Sequence, residues 1–156
     1  MIKAFEELKP HEVDLLLSAP ILVCILVAGA DGTIDRKEVA GAIEMTKKEQ
    51  KKSKGSLLEF YQFATEDFED KLKIILQNYP TDVASRSKTI VDELSQLNLI
   101  LPKLNSQFAG ELYVSFKAIA MQIAKSSGGL LGISSIGEEE IKYVDLPMIH
   151  NPAAKQ

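Results

Sequence analysis

Apolar positions along the chain recur at spacings of three and four residues, the period of a helix buried along one face. The clearest stretches are Val39, Ala42, Ile43 and Thr46; then Val83, Ile90, Val91, Leu94 and Leu97; then Phe108, Leu112, Phe116, Ile119 and Ile123. No convincing run of alternating apolar and polar residues and no Asn-Gly hairpin signal interrupts them. The pattern therefore predicts an all-α fold.

Local signals divide the chain further. His11 to Ser18 reads as a helix, with Glu12 and Asp14 early, where carboxylates complement the positive end of the dipole. Pro20 is disfavoured deep inside a helix and welcome in a first turn, so Ser18 as cap predicts a fresh helix from Ala19 to Ala30. Ile21 to Val27 is apolar on every side, as a helix at the centre of a bundle should be. A long helix follows from Asp35 to about Lys54, ending in Lys47, Lys48, Lys51, Lys52 and Lys54 before Gly55. Lysines there suit the negative end of the dipole, and glycine is a good stop.

Ser56 then offers a cap, and Thr65-Glu66-Asp67 a second start, so residues 56–79 form either one kinked helix or two. Thr81 with Asp82 begins the next helix, which ends near Pro102, and another runs from about Ser106 to Ser126. After the glycine-serine stretch from Ser127 to Ser135, Ser135-Ile-Gly-Glu138 matches a capping box for a last helix, disturbed at Pro147. The sum is a single-domain bundle of seven or eight helices over residues 1–150, with 151–156 as a tail.

Composition changes this picture little. A chain of 156 residues can bury a real core. Its net charge of −4 argues against nucleic acid as a partner. The single cysteine, Cys24, lies in the apolar run and reads as a small buried hydrophobe, consistent with a reducing compartment. The most apolar run, Ala19 to Ala30, falls short of the roughly 20 residues a bilayer needs. The residues before Pro10 do not resemble a secretory signal. A cytoplasmic protein without a transmembrane segment is the expectation.

The candidate chemistry is concentrated between the second and third helices. Asp31, Asp35 and Glu38 fall within eight residues around the turn at Gly32. Hard cations such as Ca²⁺ take six to eight oxygens, and these three carboxylates with nearby carbonyls supply part of that set. The spacing is not that of an EF-hand loop. Helix chemistry explains the same residues: Asp35 with Glu38 is a cap with its third-turn-position partner, and Asp31-Gly32 is an ordinary turn pair. Both readings stand, capping alone and capping with weak metal binding.

A second corner echoes the first. Ala28-Gly-Ala-Asp-Gly before Ile34-Asp-Arg-Lys-Glu38 parallels Ala124-Lys-Ser-Ser-Gly before Ile136-Gly-Glu-Glu-Glu140, with Gly129 to Ser134 extra in the second copy. Two pseudo-repeated helix-turn-helix corners follow, of which only the first keeps both aspartates.

On these residues the chain resembles the TerB-like family, tellurite-resistance-associated helical proteins. The sharp identity is Ala-Asp-Gly-x-Ile-Asp-x-x-Glu at Ala30 to Glu38; the second corner, Ile123 to Glu140, agrees in layout. The resemblance implies an all-helical, non-enzymatic cytoplasmic protein linked to tellurite resistance and stress responses, with protein partners. It also implies divalent metal binding, Ca²⁺ or Mg²⁺, at Asp31, Asp35 and Glu38, with Glu140 contributing from the second corner. Ser127 and Gly137 stand where the family's second corner would carry acids, which puts a paired site in doubt.

Other chemistries find less. His11 and His150 lie near opposite ends of the chain with no cysteine or second histidine close by. A carboxylate-metal hydrolase in a bundle would carry Glu-x-x-His pairs, and none is present. A purely structural adaptor remains the alternative, and the lysine-rich stretch from Lys47 to Lys54 is either a solvated helix end or a docking surface for an acidic partner. Oligomeric state is open.

Overall fold

A computed structural model describes residues 3–29, 36–128 and 142–153. Among these residues the fold is all-α, with seven α-helices and no strand. They are α1 (Pro10–Ala28), α2 (Arg36–Lys52), α3 (Gly55–Ala64), α4 (Phe68–Asn78), α5 (Val83–Ser95), α6 (Leu97–Ile100) and α7 (Ser106–Gly128). Both pseudo-repeated corners, 30–35 and 129–141, lie outside the described residues.

α1 is the axis of the bundle, and it corrects one expectation. The helix does not restart at Ser18; it runs unbroken through Pro20. A proline inside a helix forfeits one backbone hydrogen bond and crowds the preceding turn, at a cost of about 3 kcal/mol. Packing offsets that cost, because Leu16 and every residue from Ala19 to Ala28 are buried. The start of α1 is set instead by Pro10 in its first turn and by Glu12, whose Oε1 accepts from the Lys9 backbone N–H at 2.9 Å.

The length and apolarity of α1 would suffice to cross a membrane, but 67% of its most apolar window is buried inside the bundle. α2, α3, α4, α5, α6 and α7 all pack on it. Cys24 faces α2, with its Sγ 3.9 Å from the Ala42 carbonyl and 3.8 Å from Thr46 Oγ1. Thr46 Oγ1 itself donates back to Ala42 O at 3.0 Å. Burial pushes the Cys24 thiol up to about 12, so it stays protonated and unreactive in the fold.

The residues 56–79 form two helices. α3 ends at Ala64, and Asp67 takes a left-handed conformation at φ 56° before α4. Aspartate is among the few side chains that tolerate this region. Ser56 is not the cap of α3: Lys54 holds that position and has no acceptor to offer, while Gly55 at φ +59° turns the chain between α2 and α3. Asp82 does cap α5, accepting from the Ser85 backbone N–H at 2.9 Å.

Phe5, Phe60, Tyr61, Phe108 and Phe116 interlock as an aromatic cluster where α3 and α7 meet the N-terminal segment. Tyr61 Oη and Ser115 Oγ are 2.8 Å apart. Ser115 gives its only hydrogen to Leu112 O, so the tyrosine is the donor between them.

The chain after 142 returns to the bundle through Leu146 and Ile149, both buried. Asn98 holds it there, donating to the Met148 carbonyl at 3.0 Å and accepting from the His150 N–H at 2.7 Å.

Candidate functional site

The carboxylates singled out from the sequence belong to the connection between α1 and α2 and to its echo. Asp31, Asp35, Glu140 and the side chain of Glu38 lie outside the described residues. The described residues on either side define what flanks the first corner.

α1 ends with the Gly29 N–H donating to the Ile25 carbonyl at 2.9 Å. The Gly29 carbonyl accepts from Arg86 Nη2 at 3.0 Å, across 57 positions of sequence. Arg86 stands in the first turn of α5, where its own N–H donates to Asp82 O at 3.0 Å. Its side chain is buried, 7% exposed as a residue. A guanidinium against the last carbonyls of α1 complements the negative end of the helix dipole. A buried cation also calls for a counter-charge, since removing it from water is costly without one. Asp31 follows Gly29 by two residues.

On the other side of the corner, α2 is seated by Ala42 and Thr46 against Cys24 of α1. Val39 and Ile43 pack at the edge of the same core. At the end of α1 the described neighbour that brings a positive charge is thus Arg86 of α5.

Arg86 was not among the residues that the helix spacing singled out. The readable sign was its place on the apolar stripe of α5, three residues after Val83 and four before Ile90. Glu12 carries the same sign four residues before Leu16 on α1. It is buried and accepts from Lys103 Nζ at 2.7 Å. The Lys103 hydrogen bond, then the Lys9 N–H, hold its carboxyl below the ordinary range.

Among the described residues no three His, Cys, Asp or Glu side chains come together as a metal-ligand group. His11 and His150 are both exposed. Lys47, Lys48, Lys51, Lys52 and Lys54 are exposed as well, and among the described residues only Lys52 is drawn to a carboxylate, Glu49, at 3.6 Å. The chain matches no family model, no curated protein and no solved structure.

Proposed function

We propose that this chain is a non-enzymatic, cytoplasmic helical protein of the TerB-like type, acting in a tellurite or stress-response setting by docking partner proteins. It binds a divalent cation, Ca²⁺ or Mg²⁺, weakly through Asp31, Asp35 and Glu38, with Glu140 as a contribution from the second corner. The exposed lysines from Lys47 to Lys54 are the surface for an acidic partner.

The observation that carries this reading is the acidic motif from Ala30 to Glu38, which joins the central helix α1 to α2 within an all-α bundle. A cation held there by hard oxygen ligands would link the buried axis of the fold to its first polar-faced helix. Calorimetric titration of the full chain with Ca²⁺, Mg²⁺ and Mn²⁺, paired with melting curves, is the test. A ligand that binds only the folded state must raise its stability. Heat of binding together with a raised melting temperature supports the reading; neither at millimolar metal removes the cation from it.

Arg86 favours a second reading, a structural adaptor whose acidic corner needs no metal. Its guanidinium already occupies the Gly29 carbonyl beside the corner. In that case Asp35→Ala costs about 1 kcal/mol, the worth of one helix cap, whether or not metal is added. A loss several-fold larger in the presence of Ca²⁺ would reject it.

A further inference from the structure

Away from the α1–α2 corner, the N-terminal half of α1 forms a groove with α4, α5 and α6, about 410 Å³ in volume. Its floor is apolar: Leu15 and Leu22 from α1, Ile75 from α4 and Ile100 from α6. Leu99 forms one lip and is 74% exposed, the most exposed large apolar side chain among the described residues. Leu99 extends the apolar floor out to the surface, and it is contiguous apolar surface that marks an interaction site.

The rim carries two carboxylates. Asp14 and Glu93 line it beside His11, and no lysine or arginine does. Asp14 is exposed and enters no salt bridge among the described residues. Glu93 accepts the Tyr79 hydroxyl on Oε1, which fixes its carboxylate in place, and enters no salt bridge among the described residues. Glu12 also borders the groove, but Lys103 and the Lys9 N–H already engage both of its oxygens.

We propose that this groove docks an amphipathic helix of a partner protein, one that sets leucine-like side chains on the floor and lysine or arginine against Asp14 and Glu93. The complementarity selects this occupant: an apolar floor alone takes any greasy face, but two carboxylates on a rim without lysine or arginine disfavour an acidic one. The lysine-rich stretch of a second copy is a poor match. Lys47 to Lys54 contains none of the exposed large apolar side chains among the described residues, so it meets the rim and leaves the floor empty. The groove lies on a different part of α1 from the acidic corner, and its occupancy does not depend on metal there.

The test is fluorescence anisotropy of a labelled synthetic leucine-lysine amphipathic helix, and of its leucine-glutamate counterpart, titrated with the full chain. The leucine-lysine peptide should bind, more weakly as salt is raised, and the glutamate peptide should not. Asp14→Lys and Leu99→Asp should each weaken binding about tenfold or more. Both positions are exposed, so both variants should stay folded, with Asp14→Lys melting slightly lower because a lysine there opposes the α1 dipole. Lys51→Glu, on the other charged surface, should leave the affinity unreduced. Equal binding of the two peptides, or undiminished binding by Asp14→Lys and Leu99→Asp, would overturn the proposal. So would a dimer in sedimentation that Asp14→Lys dissolves, because the occupant would then be a second copy.

Discussion

The two ends of α1 are tied down by long-range charged contacts of different kinds. At the start, the Glu12 carboxylate meets Lys103, 91 residues away in sequence, so charge is matched with charge. At the end, Arg86 reaches the Gly29 carbonyl, and the contact pairs a full charge with a helix terminus. Lys103 is 42% exposed at its side chain, whereas Arg86 is buried. The first tie is screened by water and is complete in itself. The second sits in the core, where the positive charge meets a carbonyl and no carboxylate among the described residues. The comparison teaches where the fold depends on neighbouring chemistry: the start of α1 is self-sufficient, and the end is not.

Removing Arg86 should therefore do the most damage. Arg86→Ala should destabilise the fold by about 2–3 kcal/mol, the range for losing a buried hydrogen bond made by a charged group. Urea denaturation measures it. Cys24, between the two ties on α1, gives an independent readout, because its buried thiol reacts only when the bundle opens. Labelling by a disulfide reagent should accelerate roughly 30- to 150-fold in Arg86→Ala, as the same free energy requires. Lys103→Ala should raise the rate far less. Equal acceleration by the two variants would erase the contrast between the ends.

How much of this was legible beforehand divides along the same line. The all-α class followed from stripes such as Phe108, Leu112, Phe116, Ile119 and Ile123, all of which are buried on α7. The Asp82 cap was legible because capping is decided within a few residues. The continuity of α1 was not: the rule for Pro20 is local, and burial of the whole second half of the helix overrides it. Leu146 and Ile149 were missed as core anchors because Asn98, remote in sequence, holds their segment in place. Glu12 and Arg86 stood out as charges on apolar stripes, but nothing local selects partners 91 and 57 residues away.

A smaller effect tests the start of α1 through pH. The Glu12 carboxyl titrates below the ordinary range when folded. Its stabilising contribution is thus fully present above the ordinary glutamate value of about 4.3 and is lost as pH falls through the depressed folded value. In denaturation curves measured across acid pH, Glu12→Gln should lose less stability than the parent on going below that value. An identical acid limb would mean that Lys103 and the Lys9 N–H do not favour the ionised form.

The smallest expected change lies just before α2. Asp35→Ala without metal should cost about 1 kcal/mol, as for a single cap. Chemical denaturation with a chelator present measures this baseline, against which any effect of a cation is judged.

The most direct measurement of the central claim is calorimetric titration of Ca²⁺ into the full chain and into Asp35→Ala, with melting curves at each metal concentration. The account predicts weak, saturable heat and a rising melting temperature for the parent, both abolished in Asp35→Ala. No heat and no change in melting temperature for the parent at millimolar Ca²⁺, Mg²⁺ or Mn²⁺ would contradict it, leaving the acidic residues to helix capping alone.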